Sequence, residues 1–160
     1  MPSSHTDDEP TEDRSTALGS AQRILVPVAN ETDAKTTCEA IERSFSTDTS
    51  LHTVHVIEKG GGAPDKAPLE ARQEQAQAIF DFVTGSLESA GFEVTTEIRY
   101  GTDVIDEILA AAEETAADAI AFVPREGSRL TRFLTGNKTK SLIDSDRVPV
   151  IVLPNPDAQP

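Results

Sequence analysis

Gly136-Asn137-Lys138-Thr139-Lys140 stands where the sequence predicts the start of a helix. A helix N-terminus offers unpaired backbone N–H groups and partial positive charge. Gly136 lets another group approach the backbone closely, and Asn137 can occupy one N–H with its own side chain. Lys138 and Lys140 then stand at the unfavourable end of the dipole, each costing ~0.3–1 kcal/mol unless negative charge compensates. A bound anion reverses that sign. The alternative is an ordinary Asn cap with solvated lysines, and the sequence leaves both open. Residues 125–140 also carry Arg125, Arg129 and Arg132, so five basic residues face only Glu126, a net +4. The whole chain is -14, which leaves -18 elsewhere. Such a stretch predicts a small anion, an acidic partner protein, or pairing with the chain's own carboxylates.

Other candidates for chemistry are weaker. His52 and His55 fall on opposite faces of a predicted strand, so they form no paired metal site and are expected in packing or hydrogen bonding. Cys38 is the single cysteine. It excludes an internal disulfide and falls on an apolar helix stripe, as a buried core residue does. Ser128 follows a glycine but lacks the elbow pattern of a nucleophile. Asp103, Asp106 and Glu107 fit a helix N-terminus, where negative charge is favoured. There is no P-loop lysine motif and no G-x-G-x-x-G.

The elements that would position these residues follow from periodicity. Of 160 residues, 28 are acidic and 14 basic, enough chain for one domain and too acidic for general binding to nucleic acid or anionic membrane. No run of ~18 apolar residues is present, so no transmembrane helix is expected. The acid excess and the scarcity of lysine fit either an acidic, well-solvated surface or a high-salt cytoplasm, where carboxylate repulsion is screened. Residues 1–22 are polar, do not read as a secretory signal, and are expected to form a disordered acidic tail. Residues 155–160 are expected to form a short loose end, which leaves 23–154 as the domain.

Within it, Arg23–Ala29, Leu51–Ile57, Phe92–Tyr100, Asp118–Pro124 and Val148–Leu153 read as strands. Helices are predicted at Thr32–Ser46, at Leu69 to Gly91, from a Thr102 cap onward, and from Asn137 to about Asp144. Leu69, Ala76, Ile79, Phe80, Val83 and Leu87 form one stripe. Lys59–Pro68 reads as a flexible loop and Arg125–Gly136 as a long one. Strict alternation predicts an α/β fold: an open, five-stranded parallel sheet in order 3-2-1-4-5, with two helices on each face. Ligands of such sheets lie beyond the carboxyl ends of the strands where the order reverses, here Val28–Thr32 and Arg125–Lys140.

The chain resembles the universal stress protein family over about residues 22–154. The resemblance rests on Ile24-Leu25-Val26-Pro27-Val28, Val54-His55-Val56-Ile57, Gly101, Asp118-Ala119-Ile120-Ala121-Phe122, Gly136-Asn137 and Val148-Pro149-Val150-Ile151-Val152-Leu153. It implies a Rossmann-like fold, a homodimer and a role in stress response. ATP-binding members carry an Asp just after the first strand and a G-x-x-G-x9-G-[S/T] loop. At those positions this chain has Ala29, then Val123, Glu126, Gly136 and Asn137. The expectation is a divergent, halophilic-type member that does not bind ATP in the usual family manner. It would act in the cytoplasm by dimerisation through Val148–Leu153 and by binding an unidentified protein. No enzymatic activity and no cofactor are expected. The alternative is a nucleotide- or phosphate-binding protein with slow ATP hydrolysis, holding ATP, AMP or a small anion. The expected binding set is Val28, Ala29, Val56, Arg125, Gly136, Asn137, Lys138 and Thr139. A phospho-accepting receiver domain shares the topology, but its acidic pair and Asp are replaced by Ala29-Asn30 and Gly101-Thr102.

Overall fold

The computed structural model describes residues 22–59, 68–124 and 147–156. The elements are β1 (Arg23–Pro27), α1 (Glu31–Ser44), β2 (Ser50–Glu58), α2 (Leu69–Ser89), β3 (Glu93–Gly101), α3 (Val104–Glu114), β4 (Ala119–Phe122) and β5 (Val150–Val152). The sheet has the order β3-β2-β1-β4-β5, and every pairing is parallel.

β1 is central because its apolar run can be covered on both faces. Ile24, Leu25 and Val26 are 1%, 0% and 1% exposed. Alternation sends Ile24, Val26 and Val28 to one face, with Ala34, Cys38 and Ile41 of α1 and Ile79, Phe80, Val83 and Leu87 of α2. Leu25 points to the other face, against Ile105, Ile108 and Leu109 of α3 and Ile120 and Phe122 of β4. Fully burying one such side chain is worth about 1.5–3 kcal/mol, so Leu25→Ala at this crossing would remove about 2–5 kcal/mol. Two described helices therefore cover one face and one covers the other. The helix predicted from Asn137 lies outside the described residues, as do most of the loop over 59–68 and both predicted tails apart from residues 22, 155 and 156.

Three local expectations change. Leu69 is 51% exposed, because it opens α2 before the helix reaches the sheet. The cap of α3 is Asp103, not Thr102: its side chain accepts from the Asp106 N–H at 3.1 Å. Asp103 has extended dihedrals and a charged acceptor, both suited to the cap position. The last strand is shorter than predicted, Val150–Val152. Val148 and Leu153 flank it and are buried on opposite faces. The predicted stop at Gly91 holds. Its φ is +103°, and a Cβ there would come within 3.2 Å of Thr47 Cγ2, so a side chain would be strained in both backbone and space.

Candidate functional site

The strand order reverses between β1 and β4, on either side of which the first two crossovers diverge. A crevice at the carboxyl ends of these strands follows from that topology. The chain leaves β1 through Val28 and Ala29 and enters α1 at Asn30. Val28 continues the ladder, donating its N–H to Val54 O at 2.9 Å. Its carbonyl accepts from His55 Nδ1, also at 2.9 Å. That bond fixes the tautomer of His55 with a proton on Nδ1. The side chain of Val28 belongs to the core. Both backbone groups of Val28 are therefore committed before any ligand arrives.

The next turn closes on itself. Asn30 caps α1, its Oδ1 accepting from the Asp33 N–H at 2.8 Å. Asp33 reaches back, and its Oδ2 accepts from the Ala29 N–H at 2.9 Å. Asp33 is 0% exposed. The pattern is a reciprocal capping box with Asp in the place of Glu and the returning bond one residue earlier. Two donors that would otherwise face a ligand at this helix N-terminus are thereby satisfied internally.

Asp33 is the site residue that sequence reasoning missed. The family pattern places its carboxylate at position 29, where Ala29 has none. The signal was present as Asn30-x-x-Asp33 ahead of an apolar helical stripe. What the sequence did not show was that the carboxylate would be fully buried at the mouth of β1.

Of the other expected binding residues, Val56 is half-buried and packs against the α3 face. Ala29 packs on that same face, whereas the Val28 side chain turns to the α1–α2 face; the three stand near the carboxyl ends of β1 and β2 but not on one face. Arg125, Gly136, Asn137, Lys138 and Thr139 lie outside the described residues, together with Glu126 and the rest of the basic stretch. Val123 is 0% exposed and a member of the core on the α1–α2 face. Its side chain is a packing element of that core.

Farther along the same end, Lys59 Nζ lies 5.8 Å from the centroid of the Tyr100 ring. Arg72 donates to the Glu58 carbonyl at 2.8 Å, and Gln73 donates to the Tyr100 hydroxyl at 2.7 Å. Gly101 closes β3 where a Cβ would overlap the Glu107 carboxylate at 2.4 Å. The reason for glycine here is a close approach: Glu107 crosses over it to accept from Arg99 Nε at 3.0 Å.

His52 is far from this end, toward the start of β2. It pairs with Thr95 Oγ1 at 2.6 Å and Glu97 Oε1 at 2.8 Å. The two histidines are hydrogen-bonding residues of opposite faces, as expected. Burial pushes the Cys38 thiol up to about 12, which keeps it a core residue and not a nucleophile. Among the described residues, no three His, Cys, Asp or Glu side chains are grouped to hold a metal ion. No helix among them is long and apolar enough to cross a membrane.

A doubly wound sheet of this order with its crevice at β1 and β4 defines a Rossmann-like class. The universal stress protein family profile matches residues 20–154. The chain belongs to the universal stress protein family. No curated protein sequence matches it. Among solved structures, the hypothetical protein MJ0577 is similar at 22% identity, covering 86% of this chain and 99% of that one, with a TM-score of 0.67. A universal stress protein from Archaeoglobus fulgidus in complex with dAMP is 20% identical over 82% of this chain and 97% of that one, with a TM-score of 0.58. A family protein from Arabidopsis thaliana with AMP bound is 15% identical over 85% and 93% respectively, with a TM-score of 0.61.

Proposed function

We propose that this protein is a non-catalytic regulatory module of stress response that works as a homodimer and through a protein partner, without holding ATP in the usual family manner. The observation that carries the reading is the closed turn after β1. The Ala29 and Asp33 N–H groups are taken by Asp33 and Asn30, the Val28 carbonyl by His55, and Ala29 offers no acceptor. Each polar contact withheld from a ligand in a dry site costs about 1–3 kcal/mol, roughly 10–100-fold in affinity. The dimer rests on β5, a short apolar edge whose Val152 is 52% exposed, and pairing across a two-fold axis would cover it.

A second reading, nucleotide or phosphate binding, is favoured by the dAMP and AMP complexes of the two similar proteins. It is also favoured by the buried carboxylate of Asp33 at the crevice. Calorimetry with Mg-ATP and AMP in molar salt separates the two. The first reading expects no binding tighter than about millimolar, and a gain in affinity when Ala29→Asp is combined with Glu126→Gly. Micromolar affinity in the parent chain would establish the second.

A further inference from the structure

At the opposite end of the sheet, a cavity of about 210 Å³ opens beside the end of α3. It is lined by Arg23, Ile24, Ser50, Leu51, His52, Glu93, Thr95, Thr115 and Ala117. The strand register explains the arrangement. Arg23 pairs with Ser50, and Ser50 with Glu93, so the first residues of β1, β2 and β3 form one row. Leu25, His52 and Thr95 form another. Ile24 and Leu51 turn their side chains to the opposite core, so they contribute backbone as the floor. Thr115 and Ala117, just past α3, form a wall.

The groups at hand are of both signs. Arg23 makes no ion pair among the described residues. Glu93 accepts from the Ser50 hydroxyl at 3.1 Å through Oε1. Arg23 and Glu93 are separated by two strand spacings, about 10 Å at the backbone. His52 is already held by Thr95 and Glu97, and the Thr115 hydroxyl by the Ala111 carbonyl at 2.8 Å. A simple anion is disfavoured by Glu93, by the Asp118 carboxylate that accepts the Arg23 N–H at 2.9 Å, and by the negative end of α3. A simple cation is disfavoured by Arg23. Volume adds a limit. At about 210 Å³ the cavity is smaller than the ~300–1,000 Å³ of drug-sized pockets, which favours a ligand of few atoms.

The geometry points to a binding site for a small zwitterion of free amino acid size, its carboxylate on Arg23 and its ammonium on Glu93. The planar guanidinium suits bidentate capture of a carboxylate. The ammonium meets Glu93 beside the negative end of α3, and a short aliphatic side chain rests on Ala117 and the threonine methyls.

L-valine is a suitable probe, with isobutyrate and isobutylamine as its single-charge halves at matched ionic strength. Amide chemical shifts of the full chain are followed in a titration to about 50 mM. We expect shifts confined to residues 50–52, 93–95 and 115–117. The expected Kd is about 1–10 mM, as for a ligand of so few atoms, and each half-probe should bind at least five-fold more weakly. Arg23→Gln and Glu93→Gln, both at exposed positions, should each weaken valine about ten-fold with the remaining spectrum unchanged. Absence of localised shifts at 50 mM would overturn the site. So would equal binding of isobutyrate and valine, or shifts unaffected by both variants.

Discussion

β3 and β5 both close the sheet, but with opposite materials. β3 is nine residues long and polar on the α3 face. There Arg99 donates to Glu97 at 2.8 Å, Glu107 at 3.0 Å and Glu114 at 3.0 Å, and His52 meets Glu97 from the neighbouring strand. The Arg99 side chain is 13% exposed, so its charge is fixed inside a ring of carboxylates. β5 is three residues of Val, Ile and Val. Its tie to α3 is Arg147 on Glu113 at 2.7 Å, with both side chains 44% exposed. A long, charged, internally paired edge resists another strand, because pairing would have to displace ordered ion pairs. A short apolar edge has no such guard. The difference fits different uses: β3 closes the sheet, and β5 is the edge on which the proposed dimer rests.

The largest effect should come from placing charge on the unguarded edge. Val152→Lys puts two like charges across the two-fold axis and should weaken self-association at least 100-fold. Sedimentation in molar salt should then give a mass near one 17.1 kDa chain where the parent gives twice that. A variant that stays dimeric would move the interface elsewhere.

The guarded edge should respond in stability, not in assembly. Arg99→Gln leaves Glu97, Glu107 and Glu114 facing one another and should cost about 1–3 kcal/mol in urea unfolding, with dimer mass unchanged. Gly101→Ala should cost about 0.5–1.5 kcal/mol, because the added methyl displaces the Glu107 carboxylate from Arg99. Together the two changes should cost less than the sum of each alone, since both act on one pair.

Acid titration gives a smaller contrast. The Arg99 guanidinium holds Glu114 below the usual carboxylate range, Arg147 does the same for Glu113, and the Arg23 and Gln22 N–H groups do it for Asp118. A depressed folded pKa means stability present above the unfolded value, about 4, and lost as pH falls through the folded value. The melting temperature should therefore hold from neutrality to about pH 5 and fall below about pH 4. Arg99→Gln should flatten the part of that fall due to Glu114, visible as a shallower slope in scanning calorimetry. Arg147→Gln, at the exposed bridge, should change the melting temperature at pH 7 by less than the error of the scan.

The two edges also show what was legible in the sequence. Val148–Leu153 is apolar and β-branched while Phe92–Tyr100 alternates in polar residues, so the two strands differ in composition alone. The crevice was legible as a place but not as a set of contacts. Val28 and Ala29 follow from the strand's end, whereas Asp33 does not. Its role depends on a carboxylate folding back four residues onto a backbone N–H, and spacing alone does not distinguish that from an exposed first-turn acid. Thr102 and Asp103 are nearly equivalent as caps by side-chain chemistry, and the extended backbone at Asp103 decides between them.

The sequence by itself determined the alternation of elements, the parallel sheet and its order, the buried stripes of α2 and α3, and the positive-φ stop at Gly91. The elements, stripes and stop are local, set by side-chain period and backbone sterics within a few residues, and the sheet order follows from their alternation through the right-handed crossover rule. Tertiary structure alone decided that Asp33 closes the turn after β1 and that His55 locks the Val28 carbonyl. It likewise decided that Val123 is core, that Arg99 gathers three carboxylates, and that Arg23 and Glu93 share a cavity. Except for the four-residue return of Asp33 onto Ala29, these join residues that the chain separates and the fold brings together. Their energies depend on burial and distance, which no pattern along one dimension contains.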